Sequence, residues 1–144
     1  MTTGQAIVDA LHTLLVNNTA VAAAVSSRIY DSNAPQDPTL PMIVHSVASD
    51  TVQHYFSLDD LGPLEIQVDV FNKFESGVKA TRAIGDTVYA ALHRQTFTAS
   101  GYSGLSILCV NRGAEMSMDQ IVGGRVQQDA DRQMLTFKVF GTGT

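Results

Sequence analysis

Glu65 and Asp69 stand four residues apart in an alternating stretch, and paired carboxylates on one face are what glycoside hydrolysis requires. Four residues of extended chain span about 13 Å, whereas either hydrolytic geometry needs roughly 5–9.5 Å. The two acids, with Gln67 between them, are therefore expected on a solvated or partner-facing strand face. Gly101-Tyr102-Ser103-Gly104 has part of a nucleophile elbow, but that motif needs Gly two places after the Ser, and position 105 is Leu. A Gly/Ser turn is the expectation there.

His12, His45, His54 and His93 show neither HxH nor HxxxH spacing for a metal. His12 and His93 fall on the polar sides of helical patterns and are expected to be solvated. An enzyme reading would have to assemble a small-ligand site from scattered residues such as His45, His54 and Asp59. Asp59-Asp60 and Asp129-Ala130-Asp131 lack the ligand ladder and closing Glu of a calcium loop and read as turn acids. No Gly-rich loop carries the Lys-Ser/Thr pair of a phosphate cradle. Cys109, the single cysteine, lies among Leu105 and Ile107 and is expected to be a buried structural thiol. No catalytic residue, metal or cofactor is expected.

Composition narrows the class further. A chain of 144 residues with 44% apolar content is large enough for one packed domain, 1–144. No stretch approaches the ~18 apolar residues that cross a bilayer. The first charged side chain is Asp9, so no basic secretory leader is read, and the Asn17-Asn18-Thr19 sequon carries no meaning without one. These features lead to an expectation of synthesis in the cytoplasm. The net charge is -5 and the nine Lys and Arg are scattered, which argues against a phosphate-gripping basic face. DNA could pass an acidic wall without adhering to it.

The elements that must position these groups follow from periodicity. Thr2 to Asn17 reads as a helix with Ile7, Leu11, Leu14 and Leu15 as its apolar stripe, and Thr2 with Gln5 as a capping box. Thr19 can cap a short second helix to about Ser26, with Val21 and Val25 on one side. Asp31 to Pro41 is a Pro-studded loop, and Met42 to Ala48 a strand. Thr51 to Pro63 is a polar loop or loose hairpin. Leu64, Ile66, Val68 and Val70 alternate with Glu65, Gln67 and Asp69, so that strand has one dry face. Ser76 to Arg94 is a long helix whose stripe is Ala80, Ile84, Val88, Ala91 and Leu92, with Val68 expected across from Ile84. Thr96 to Gly104 is a loop, and strands run from Leu105 to Arg112 and from Arg132 to Phe140.

Gly113 to Asp131 is too long for a tight turn; it is either a projecting hairpin arm turning at Gly123-Gly124 or a loop. Its Met116, Met118, Ile121, Val122 and Val126, beside Arg125, are too apolar for a purely solvated segment. The expected fold is α+β, a single mostly antiparallel sheet with helices packed on one face in the order ααββαββ.

Arg28-Ile29-Tyr30, Ala34-Pro35-Gln36, Leu40-Pro41-Met42-Ile43-Val44, then Gln67-Val68-Asp69-Val70-Phe71 and Ala91-Leu92-His93 follow one another in a characteristic order. In that order and spacing the chain resembles the tail-completion (tail-to-head joining, tail terminator) proteins of long-tailed bacteriophages. The resemblance implies a structural virion protein of the neck, a six-fold ring that caps the tail tube, stops its growth and meets the head connector, with DNA passing through. Its partners would be further copies of itself, the tail tube protein and a connector or stopper protein. The strand face of Glu65, Gln67 and Asp69, and the segment with Met116, Met118, Ile121, Val122, Arg125 and Val126, then become candidate assembly contacts. The competing readings are the small-ligand enzyme and a monomeric binding module.

Overall fold

The computed structural model describes residues 3–34, 39–55, 58–73, 78–99, 102–113, 116–122 and 125–143. Helix α1 (Thr3–Asn17) buries Ile7, Leu11 and Leu15 at four-residue spacing, with Ala6 and Val8 beside them. The capping box at Thr2 lies outside the described residues. Helix α2 (Thr19–Val25) is capped by Asn18 rather than by Thr19. Asn18 has extended backbone, and its Oδ1 accepts from Val21 N–H at 3.1 Å. Its carbonyl already accepts from Ala22, so it is the last residue outside the helix.

The strands form one seven-stranded sheet. Strand β1 (Ile29–Asp31) runs parallel to β2 (Met42–Tyr55), which pairs antiparallel with β3 (Leu58–Lys73). After α3 (Val78–Leu92) come β4 (Thr96–Ala99), β5 (Tyr102–Arg112), β6 (Met116–Val122) and β7 (Arg125–Gly143). The spatial order is β1-β2-β3-β7-β5-β4, with β6 also on β7. Among the described residues, β1–β2 alone is parallel. The fold is α+β, and all three helices share one core with alternate residues of the sheet: Ile43, Leu64, Ile66, Val68, Val70, Leu105, Ile107, Leu135, Phe137 and Val139.

The element order departs from ααββαββ because three further strands form. Strand β1 lies between the second helix and the expected loop of Asp31 to Pro41, reaching into that loop only at Asp31, and is held at the sheet edge by pairs such as Ile29 with Ile43. Of residues 51–63, expected as a loop or loose hairpin, those described are the paired ends of β2 and β3, out to Tyr55 opposite Leu58, so the hairpin is the reading observed. Polar residues are tolerated there because the ladder uses backbone groups, and Gly62-Pro63 falls where pairing with β7 skips from Leu61 to Leu64. Residues 96–104, expected as a loop, begin with β4, whose Thr96 and Phe97 pair with Ser106 and Leu105.

Of the two readings of 113–131, the hairpin is the one observed. Met116 stands opposite Arg132 and Val122 opposite Arg125, so the last strand starts at Arg125 and not at Arg132. Residues 123–124 lie outside the described residues. Because β3 pairs with β7 only as far as Lys73 opposite Ala130, the end of the β6–β7 hairpin continues past β3 as a two-stranded ribbon.

The long helix keeps Val88, Ala91 and Leu92 buried, but Ala80 and Ile84 lie only partly covered on its flank. Thr81 and Gly85 take the centre of the buried face instead. There α3 comes down onto Gln133, so close that a Cβ on Gly85 would collide with Gln133 Oε1. Arg94, at φ 62°, ends the chain's helical path, and its N–H is taken by Ile107 of β5 at 2.8 Å. Since Val68 is fully buried and Ile84 is not, Val68→Ala should lower stability by roughly 2–4 kcal/mol. Ile84→Ala should cost clearly less; urea unfolding of the two variants measures the difference.

Candidate assembly interface

Glu65, Gln67 and Asp69 lie on the face of β3 opposite the core, as alternation requires. They are not a reactive pair. Asp69 is almost buried and accepts from Nε and Nη2 of Arg132 on β7 at 3.2 and 3.1 Å. Gln67 Nε2 donates to the same carboxylate at 3.1 and 3.2 Å. Glu65 meets Lys138 of β7 at 3.6 Å. The Arg132 guanidinium also lies 5.7 Å from the centre of the Phe71 ring. Each acid is thus tied to a cation on the neighbouring strand, in cross-strand pairs that stiffen this face.

Beside the ion pairs, the face carries apolar side chains without cover from the chain itself. Leu108 is 39% exposed, Val110 49% and Phe140 39%. Leu108 stands opposite Lys138 and Phe140 opposite Ser106, which makes Leu108 and Phe140 diagonal neighbours across β5 and β7. Val110 falls in the irregularity between Cys109 and Asn111. Sequence reasoning missed these three. The signal was available in the run from Leu105 to Val110: if Leu105 and Ile107 face the core, Leu108 faces away and is still apolar.

Met116, Met118, Ile121, Val122, Arg125 and Val126 all lie in the β6–β7 hairpin, Met116 and Met118 at the base where β3 still flanks β7, and Ile121 opposite Val126 in the ribbon beyond. Arg132 links the two candidate sets. Its backbone stands opposite Met116, while its side chain holds Asp69. The base of the ribbon is therefore continuous with the ion-paired face of β3.

The residues of the enzyme reading do not converge. His45 lies within the sheet opposite Val68, whereas His54 and Asp59 face each other near the far end of the β2–β3 hairpin. Nine residues along β2 separate the two histidines by about 30 Å. His12 and His93, expected to be solvated, are both engaged: His12 bonds His45, and His93 accepts from Cys109 N–H at 3.0 Å and stacks on Tyr89. Arg112 pairs with Asp86 at 2.6 Å and lies over Tyr89, so this cluster fastens α3 to β5. Cys109 is half-buried, and burial pushes its thiol up. Ser103 is in β5 opposite Thr142, within a strand rather than at a strand-to-helix elbow. Among the described residues, no three His, Cys, Asp or Glu side chains gather to hold a metal ion.

Residues 9–133 match the family described as tail completion protein gp17, which places the chain in the class of structural tail proteins. The chain belongs to the tail completion protein gp17 family, and its place is the tail and neck of a virion. Its fold is also similar to that of a solved chain from the virion of a native gene transfer agent (GTA) particle. That superposition has a TM-score of 0.69 at 19% identity and covers 99% of this chain and 98% of the other. A second solved structure superposes at a TM-score of 0.59 and 13% identity, covering 96% of both chains. No curated protein sequence matches the chain.

The burial of Asp69 sets an order among its neighbours. Asp69→Ala removes an acceptor from a guanidinium that is largely covered, and should cost about 1–3 kcal/mol. Glu65→Ala breaks a half-exposed pair and should cost at most about 1 kcal/mol. Denaturant unfolding of the isolated subunit checks both values.

Proposed function

We propose that the chain forms a ring, a hexamer, on top of the tail tube, where it ends tube growth and joins the tail to the head connector. Membership in the tail completion family carries this reading. The face of Glu65, Gln67 and Asp69 and the ribbon bearing Met116, Met118, Ile121, Val122, Arg125 and Val126 are its assembly contacts, made to neighbouring copies, to the tube protein and to the connector. An interface needs complementary shape and covered apolar surface rather than a perturbed nucleophile. The uncovered Leu108, Val110 and Phe140 fit that requirement. A two-stranded ribbon is marginal by itself in water, so a partner covering it gains more than surface area alone.

Mass photometry of the protein and cryo-EM of assembled tails test the ring. A strictly monomeric protein absent from the particle would overturn it. Deleting Ser117 to Gln128 and bridging with a short Gly/Ser turn should leave the subunit folded, by its thermal unfolding, and abolish ring or tail-tip assembly. A deletion that unfolds the isolated subunit would assign the ribbon to the core instead.

The ring should let DNA pass without holding it. The net charge is -5, and Arg112, Arg132 and Lys138 are each already paired with a carboxylate. Duplex DNA carries a charge every ~1.7 Å and is gripped only by many uncommitted cations. Fluorescence anisotropy with a duplex at ~0.15 M salt should show no sub-micromolar binding, and such binding would refute the reading.

A further inference from the structure

His12 of α1 and His45 of β2 are joined ring to ring, His12 Nδ1 to His45 Nε2 at 2.8 Å, with ring centroids 5.1 Å apart. His45 is fully buried, and its Nδ1 has no hydrogen bond. The carboxylate of Asp31 on β1 lies 3.8 Å from that nitrogen. A carboxylate facing Nδ1 favours the tautomer that carries its proton there, which leaves His45 Nε2 as the acceptor and His12 Nδ1 as the donor. His12 is only half-buried, and its other nitrogen, Nε2, can take one proton without disturbing the bond. The next proton has only His45 Nε2 to occupy. There it would oppose the His12 N–H, so that two donors and two positive rings meet with no acceptor between them.

We propose that this histidine pair is an acid-sensitive clasp that fastens α1 to the β1–β2 edge of the sheet and lets go when both rings are charged. The reading is independent of ring formation. Among the described residues, the groups that act on His45 are Asp31 from β1 and His12 and Asp9 from α1. Burial lowers the affinity of His45 for its proton most strongly; Asp31 raises it, His12 lowers it and Asp9 raises it. A group whose folded pKa is depressed binds fewer protons folded than unfolded. The clasp's stability is therefore fully present above the ordinary value of 6.5 and is lost as pH falls through the lowered one. Release would uncover Ile7, Leu11 and Leu15, the stripe that α1 contributes to the core.

Hydrogen exchange of the full chain, corrected for the intrinsic pH dependence of exchange, reads the clasp directly. Between about pH 8 and about pH 5, amides of α1 should lose at least about tenfold in protection while those of β3 and β7 keep theirs. His45→Phe should make α1 protection independent of pH over that range. Asp31→Asn removes an attraction that favours the charged ring, so it should move the release midpoint to lower pH; this variant decides the matter if His45→Phe does not fold. Unchanged α1 protection down to about pH 5, the same pH response in His45→Phe, or an unmoved midpoint in Asp31→Asn would each overturn the proposal.

Discussion

Strand β7 is paired along both edges, in three ladders, and nearly every other element takes its position from that sharing. One edge of β7 pairs with β3 from Ala130 to Thr142. The other edge pairs with β5 from Leu135 to Gly143 and then with β6 from Arg125 to Arg132. In the middle, Leu135, Phe137 and Val139 stand opposite Val68, Ile66 and Leu64, and all six are fully buried. A one-residue slip of β7 in this ladder would turn its Leu135, Phe137 and Val139 to the outer face and bring Thr136 and Lys138 inward. At roughly 1.5–3 kcal/mol for each buried side chain, that register is strongly enforced. The ion pairs of the outer face, Asp69 with Arg132 and Glu65 with Lys138, are consequences of the same register rather than its cause.

Toward the end of the sheet where the ribbon leaves, the core-facing side of the ladder changes character. Beyond Val70 and Leu135 the sequence places Asn72, Asp131 and Gln133, all buried. Apolar packing cannot seat a helix there, and α3 answers with small and polar residues on its buried face, Thr81 and Gly85, the latter close against Gln133. The long helix is thus anchored by Val88 and Leu92 over the dry part of the sheet and rests closely on a polar pad at its start. Past this point β3 ends at Lys73, and the hairpin runs on as two strands.

How much of this was legible in the sequence depended on how strongly a segment alternates. Leu64 to Val70 announces its phase because each polar residue is charged or an amide and each apolar one is branched, and the observed strand agrees residue by residue. Val52 to Tyr55 and Leu58 to Leu61 gave no such pattern, because pairing by backbone alone leaves no mark on side-chain polarity. Strand β4 was hidden for another reason: Thr96, Phe97, Thr98 and Ala99 do alternate exposed and half-buried, but four residues are too short a run to stand out. Ile84 misleads because hydrophobicity alone does not register close approach; a glycine at the contact line outranks an isoleucine beside it. His12 shows a further limit. Its position on the polar side of α1 was evident, but only the fold puts His45 opposite it.

The absence of convergent chemistry in the sequence and the family membership of the chain bear on one another through symmetry. A ring of identical subunits needs two different surfaces on each copy, one to meet the preceding neighbour and one the next. An enzyme active site makes its presence known by polar groups brought together out of water, whereas an interface of this kind is made of strand faces whose strengths lie in register and exposure. Here the apolar strip of Leu108, Val110 and Phe140 and the ribbon of β6 and β7 are distinct surfaces, and both are carried by β7 or its direct partners. Any load applied to one is transmitted along a continuous strand to the other without passing through a loop. A rigid ladder that joins two surfaces suits the proposed ring, because the state of one contact can reach the next along paired backbone.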